Sequence, residues 1–127
     1  CIEIPDYVMR IHLRILYLDR QGGPNHVGNY CDAPVMCDVD ADTIDVKLSY
    51  SYIGHFSRFI RSGARRILVS KYSPDIETTA FQNEDGGKVL VILNRSEKEV
   101  GFVVSVEGKR SGKMKIGKHS IMTCCWV

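Results

Sequence analysis

The side chains able to do acid–base or nucleophilic chemistry are few and scattered. The glutamates are Glu3, Glu77, Glu84, Glu97, Glu99 and Glu107. Cleavage of an acetal by an acid and a nucleophile or base needs two carboxyl groups about 5–9 Å apart. Glu84 falls in a Glu-Asp-Gly-Gly turn, Glu97 and Glu99 in a second turn, Glu77 on the polar side of a strand, and Glu107 at a strand end beside Gly108. Glutamates in such places are solvated, so no catalytic carboxylate pair emerges. His12, His26, His55 and His119 show no H-E-x-x-H or comparable ligand spacing. No G-x-S-x-G is present to expose a serine nucleophile. Gly22-Gly23-Pro24 is followed by no Lys-Ser/Thr opening a helix, which rules out a phosphate loop. Asp38-Val39-Asp40-Ala41-Asp42 begins like a calcium loop, but Thr43 stands where glycine belongs and Ser49 where the bidentate glutamate belongs. It reads as a solvated turn with Asp42 or Thr43 capping the next helix. Cysteines 1, 31, 37, 124 and 125 make no C-x-x-C, and Cys124 and Cys125 point to opposite faces if they share a strand. No metal or cofactor is expected.

The elements that must position these residues divide the chain in two. Ile11, Leu13, Ile15 and Tyr17 alternate with His12, Arg14 and Leu16, which reads as a strand ending near Asp19. Residues 20–34 hold three glycines, two prolines and two asparagines and read as a loop. A long loop with no secondary structure of its own is more often functional than not. Within it, His26 either donates to a ligand or bonds its own loop. Val35–Cys37 is a candidate short strand. Residues 43–61 carry a helical stripe of Val46, Tyr50, Ile53, Phe56 and Ile60, widened by Tyr52 and Phe59, with Gly63 as the C′ residue. Beyond Ala64 the period becomes two. Strands are expected at Arg66–Lys71, Ile76–Gln82, Lys88–Asn94, Val100–Val106, Lys113–Ile116 and Ser120–Val127. Asp85-Gly86 marks a hairpin. Val89–Leu93 is apolar on both faces and so is expected to be a central strand.

Bulk properties exclude several classes. The 127 residues weigh 14.3 kDa, with 44% hydrophobic and 25% charged residues, an ordinary globular composition. That length cannot hold a complete (β/α)8 barrel, which takes about 250 residues. The longest apolar run is far short of the roughly 20 residues a membrane span requires, so no membrane span is expected. Arg58, Arg61, Arg65 and Arg66 fall within nine residues. A net charge of +2 favours a solvated helix end over a nucleic-acid patch, and no nucleic-acid partner is expected. Asn94-Arg95-Ser96 fits the N-x-S glycosylation pattern. The first residue is Cys1, so the chain reads as processed or partial, and its compartment is not legible.

Three collinear runs are specific. They are Leu18-Asp19-Arg20-Gln21-Gly22-Gly23-Pro24-Asn25-His26-Val27, Asn29-Tyr30-Cys31-Asp32-Ala33-Pro34, and Tyr52-Ile53-Gly54-His55-Phe56-Ser57-Arg58-Phe59-Ile60 with Gly63. Together with Val91-Ile92-Leu93-Asn94-Arg95-Ser96 they resemble glycoside hydrolase family 30, the glucosylceramidase group. The resemblance implies a mainly β chain in which antiparallel β-sandwich strands follow the last β/α unit of a truncated (β/α)8 barrel. On that reading residues 1–15 are unrecognised, 16–63 are the last barrel strand, active-site loop and helix, and 64–127 are the C-terminal sandwich. It further implies hydrolysis of β-glucosides with retention, by two glutamates on earlier barrel strands absent from this chain. Asn29 would offer its amide to a sugar hydroxyl, Tyr30 an aromatic wall, and Asp32 and His26 support for the loop. The family usually has Trp-Asn where this chain has Arg14-Ile15. The partners implied are a β-glycoside substrate in the intact parent and the missing N-terminal barrel and sandwich strands. The alternative is a non-catalytic carbohydrate-binding or scaffold sandwich.

Overall fold

A computed structural model describes residues 16–21 and 32–127. The chain divides into two compact units, residues 1–54 and 55–127.

In the first unit β1 (Tyr17–Asp19) runs parallel to β2 (Val35–Asp38), with Leu18 opposite Met36, and β2 pairs antiparallel with β3 (Thr43–Val46). A parallel pair needs a crossover of a dozen or so residues, and residues 20–34 supply it. β1 therefore has a parallel neighbour from the same chain.

The helix α1 (Leu48–Ser57) starts five residues later than its stripe suggested. Thr43, Ile44 and Val46 are β-branched, stiff at χ1 and suited to a pleated edge. A four-residue turn, 39–42, folds them back on β2. Asp42 takes φ 50° there, and Asp38 Oδ1 accepts N–H bonds from Asp40 and Ala41 at 3.2 and 3.1 Å. The acidic run thus closes a hairpin and does not cap the helix. Val46 lies on a strand and is 55% exposed, so it leaves the predicted stripe.

The second unit holds a four-stranded antiparallel sheet in the order β11-β6-β5-β4, made of Ser120–Trp126, Lys88–Asn94, Ile76–Gln82 and Arg65–Ile67. A two-stranded sheet pairs β7 (Val100–Phe102) with β10 (Met114–Ile116), and a small hairpin pairs β8 (Ser105–Val106) with β9 (Lys109–Arg110). The expected strands at 76–82 and 88–94 agree residue for residue. The expected strand 100–106 breaks after Phe102, and the β9 strand was not foreseen. Glu107 and Gly108 both have positive φ, 51° and 79°. That is the two-residue turn whose twist suits a hairpin, and it diverts the chain out of β7's line.

Alternation along the strands builds the core. Ile76 and Ala80 of β5, Leu90 and Ile92 of β6 and Ile116 of β10 form its buried cluster, with Val100, Phe102, Met122, Cys124 and Trp126 packed against it. Residues 89–92 are buried on both faces, as a central strand requires. Cys124 sits on this core face and Cys125 is exposed, so the adjacent cysteines do point apart. Burial, and then the neighbouring Cys125 charge, pushes the Cys124 thiol above its ordinary range. Thiolate is the reactive form. Peptide mapping after brief iodoacetamide treatment of the folded chain is therefore expected to show Cys125 alkylated about tenfold faster than Cys124. Equal rates would mean that β11 opens readily.

Candidate functional site

The expected site lies at the end of β1 and in the loop that follows it. Because β1 and β2 are parallel, Asp19 at the C-terminal end of β1 comes out beside Cys37, one residue before the end of β2. In barrel enzymes this is the end where loops build the site. Two interactions shape it. Asp19 Oδ1 accepts the Gln21 N–H at 3.0 Å and turns the chain away from the strand. Arg20 then reaches across to Asp38 at the end of β2, at 2.6 Å. The Asp38 carboxylate is only 11% exposed, and its other oxygen holds the β2–β3 turn. One carboxylate thereby ties the loop's departure point to the hairpin. The loop's far end is held by Ala33, which is buried, by Val35 N–H to Leu16 O at 3.1 Å, and by Lys47 N–H to Pro34 O at 2.8 Å.

Of the candidate residues, His26, Asn29 and Tyr30 lie outside the described residues. Asp32 is described and exposed. The ion pair with Asp45, and further off the Asp32 charge, hold the Lys47 ammonium above its usual range. No three His, Cys, Asp or Glu side chains converge as metal ligands among the described residues. Among those residues no helix is long and apolar enough to cross a membrane.

Three polar contacts in the second unit carry no composition or period signal. His55, in the last turn of α1, places Nδ1 2.9 Å from Thr123 Oγ1, while that hydroxyl reaches His55 O at 3.3 Å. A hydroxyl has one hydrogen. If it goes to the carbonyl, Nδ1–H donates to the oxygen, and the pair ties the helix end to β11. Asn83 is buried, accepts the Arg61 N–H at 3.1 Å, and donates to Phe59 O at 3.1 Å. Asn94 is wholly buried. Its Nδ2 donates to Lys98 O and Gly117 O, both at 2.8 Å, and its Oδ1 accepts from the Ser96 N–H and hydroxyl at 3.0 and 2.8 Å. The N-x-S asparagine is therefore a clasp between two turns, and its amide nitrogen is not open to a glycan in the folded chain. On the surface nearby, Arg95 beside Glu77, at 2.7 Å, holds that carboxyl below its usual range. Of the expected glutamates, Glu77, Glu97, Glu99 and Glu107 each pair with a cation or histidine.

Comparison with known proteins places these features. Residues 3–60 match the glycosyl hydrolase family 30 TIM-barrel domain, and residues 63–124 match the family's beta sandwich domain. The chain is 41% identical over 91 residues to the lysosomal acid glucosylceramidase of Mus musculus, covering 71% of this chain and 18% of the mouse protein. Among solved structures it is similar to SrfJ from Salmonella typhimurium, with a TM-score of 0.79 and 38% identity over 87% of this chain and 25% of that one. It is also similar to an endo-β1,6-glucanase, with a TM-score of 0.74 and 31% identity over 87% of this chain and 25% of the glucanase. The chain thus spans about a fifth of the curated relative's length and a quarter of each solved one. With both of the family's domains matched in collinear order, and a barrel end followed by antiparallel sandwich strands, the chain belongs to glycosyl hydrolase family 30.

Proposed function

We propose that this chain is the C-terminal part of a retaining β-glycosidase acting on β-glucosides such as glucosylceramide, and that it is inactive alone. The observation that carries the reading is the likeness to a glucosylceramidase, at 41% identity, by a chain in which Glu77, Glu99 and Glu107 are each ion-paired with a lysine or arginine. Retaining hydrolysis takes one carboxyl as acid and a second as nucleophile, about 5–5.5 Å apart. On this reading both glutamates belong to barrel strands outside this chain. Residues 16–63 are one sector of the barrel and 64–127 its sandwich. Asn29 hydrogen-bonds a sugar hydroxyl, and Tyr30 packs its ring on the sugar's C–H face. Asp32 and His26 hold the loop that carries them. The missing barrel and sandwich strands are the chain's structural partners.

A carbohydrate-binding sandwich is the weaker reading, because a binding platform needs exposed aromatic rings. Of the rings beyond residue 64, Phe81 is buried and Phe102 and Trp126 pack against the core; Tyr72 alone is fully exposed. Incubation of the purified chain with a fluorogenic β-glucoside is expected to release no fluorophore above the buffer rate. Turnover would overturn the assignment of the glutamates. Saturable oligosaccharide binding without turnover, lost on Tyr72→Ala, would favour the binding module.

A further inference from the structure

Among the described residues β11 is an edge of its sheet, with β6 on one side and no strand on the other. None of its seven residues is buried, whereas five of the seven in β6 are. The direction of its free backbone groups follows from the ladder next to it. Arg95 N–H donates to Asp75 O at 3.3 Å and Asn83 N–H to Gly87 O at 2.8 Å, and these bonds continue the β5–β6 register past its two ends. Bonded and non-bonded residue pairs alternate along an antiparallel ladder. The odd-numbered residues of β6 therefore bond β5, and Lys88, Leu90, Ile92 and Asn94 bond their partners Trp126, Cys124, Met122 and Ser120 in β11. Ile121, Thr123 and Cys125 are left with N–H and C=O groups pointing away from the sheet.

This edge lacks the usual protection. Edge strands are ordinarily blunted by shortness, charge, proline or a bulge. Ser120–Trp126 contains no charged residue and no proline, and its register with β6 runs unbroken from end to end. The other described edges are guarded. β1 and β4 have three residues each, with Asp19 in the first and Arg65 and Arg66 in the second. β3 carries Asp45 among its four residues. β7 and β10 have three residues each, and β8 and β9 have two.

We propose that the outer edge of β11 pairs with the β11 of a second copy of this chain, antiparallel about a two-fold axis at Thr123. A partner strand must match this edge in length and in freedom from charge, and among the described edges only β11 itself does. A two-fold contact brings the same patch of both copies together. Centred on Thr123, the register sets Thr123 against its own counterpart and Ile121 against the second copy's Cys125, so every outward N–H and C=O of the three residues finds a partner. Moving the centre by one residue leaves one of the three unpaired. No like charges meet across the pair, which would otherwise oppose it. On the core side Met122 comes beside the second copy's Cys124, covering side chains that are half-exposed in the single chain. The pairing belongs to the chain as it stands and does not rest on the glycosidase reading.

Light scattering during gel filtration tests it, in reducing buffer at about 0.1 mM chain, where a complex of micromolar Kd is mostly formed. The expected mass is twice the 14.3 kDa of one chain. Cys125→Pro removes an outward N–H that the β6 ladder does not use and sets a ring against the incoming strand, so it should run as a folded monomer. Cys125→Ser keeps that N–H and should remain a dimer. Should the proline variant fail to fold, crosslinking decides. In the proposed register the two Thr123 Cα atoms lie about 5.5 Å apart, within disulfide reach, while each Cys125 is offset from its counterpart by about 13 Å along the strands. Mild oxidation of Thr123→Cys is therefore expected to give a covalent dimer whose mapped disulfide joins position 123 to position 123. A monomeric parent chain at that concentration would overturn the pairing. So would a dimer that survives Cys125→Pro in a folded chain or is lost in Cys125→Ser, or the absence of the 123–123 disulfide.

Discussion

Asn94→Ala is expected to cost residues 55–127 about 3–4 kcal/mol of folding free energy, from two or three buried groups left unpaired at roughly 1–3 kcal/mol each before any relaxation. The amide ties the end of β6 to both flanking turns. One hydrogen of Nδ2 goes to Lys98 O and one to Gly117 O, with Ile116 O a longer 3.4 Å away. Oδ1 holds the Ser96 N–H and hydroxyl. Alanine returns none of these partners, and with Asn94 fully buried, water reaches the site poorly. Asn94→Asp is a sharper test. It keeps the acceptor for Ser96, but it removes two donors and places an anion against carbonyl oxygens, so it should destabilise at least as much as alanine at neutral pH. Urea unfolding followed by tryptophan fluorescence reads the effect, since Trp126 packs on the same core. A change below about 1 kcal/mol, the worth of one ordinary hydrogen bond, would show that the clasp is not formed in solution.

Ile92→Ala is expected to cost about 3–4 kcal/mol, within the 2–5 kcal/mol range for truncating a buried isoleucine. Ile92 is 1% exposed and lies mid-strand, between Thr78 of β5 and Met122 of β11. Hydrogen-bonded partners on both sides leave the backbone little room to collapse into the cavity. Ile92→Val removes one methylene and should cost about 1 kcal/mol. The ratio of the two losses is the useful readout. If alanine costs no more than valine, the strands have closed over the gap, and the sheet packs more loosely than its burial implies.

The parts legible in advance share one property: their information is local. The strands 76–82 and 88–94 alternate or stay apolar over seven residues and are bounded by Asp85-Gly86 and Asn94-Arg95-Ser96. Period, propensity and turn chemistry agree there, so tertiary context had nothing to override. Residues 43–46 show the opposite case. Val46 extends the 3.6-residue stripe of Tyr50, Ile53 and Phe56, while Thr43, Ile44 and Val46 also suit a strand. Pairing with Val35–Asp38, a contact no window over 43–61 contains, settles it for the strand. Expected Arg66–Lys71 shrinks to Arg65–Ile67 because β5 offers partners only at Gln82, Phe81 and Ala80. The polar clasps were the least visible. Asn94 sits inside a glycosylation pattern and His55 between glycine and phenylalanine, and nothing in either neighbourhood announces a partner 22 or 68 residues away.

Residue order alone determined family membership and the succession of a barrel end and an antiparallel sandwich, because these rest on motifs and periods written within short windows. Folding in three dimensions decided that β1 has a parallel neighbour, that the acidic run closes a hairpin, and that Asn94 is interior. Each of these depends on which distant backbone or carboxylate comes within hydrogen-bond reach, a distance that no stretch of one-dimensional sequence encodes.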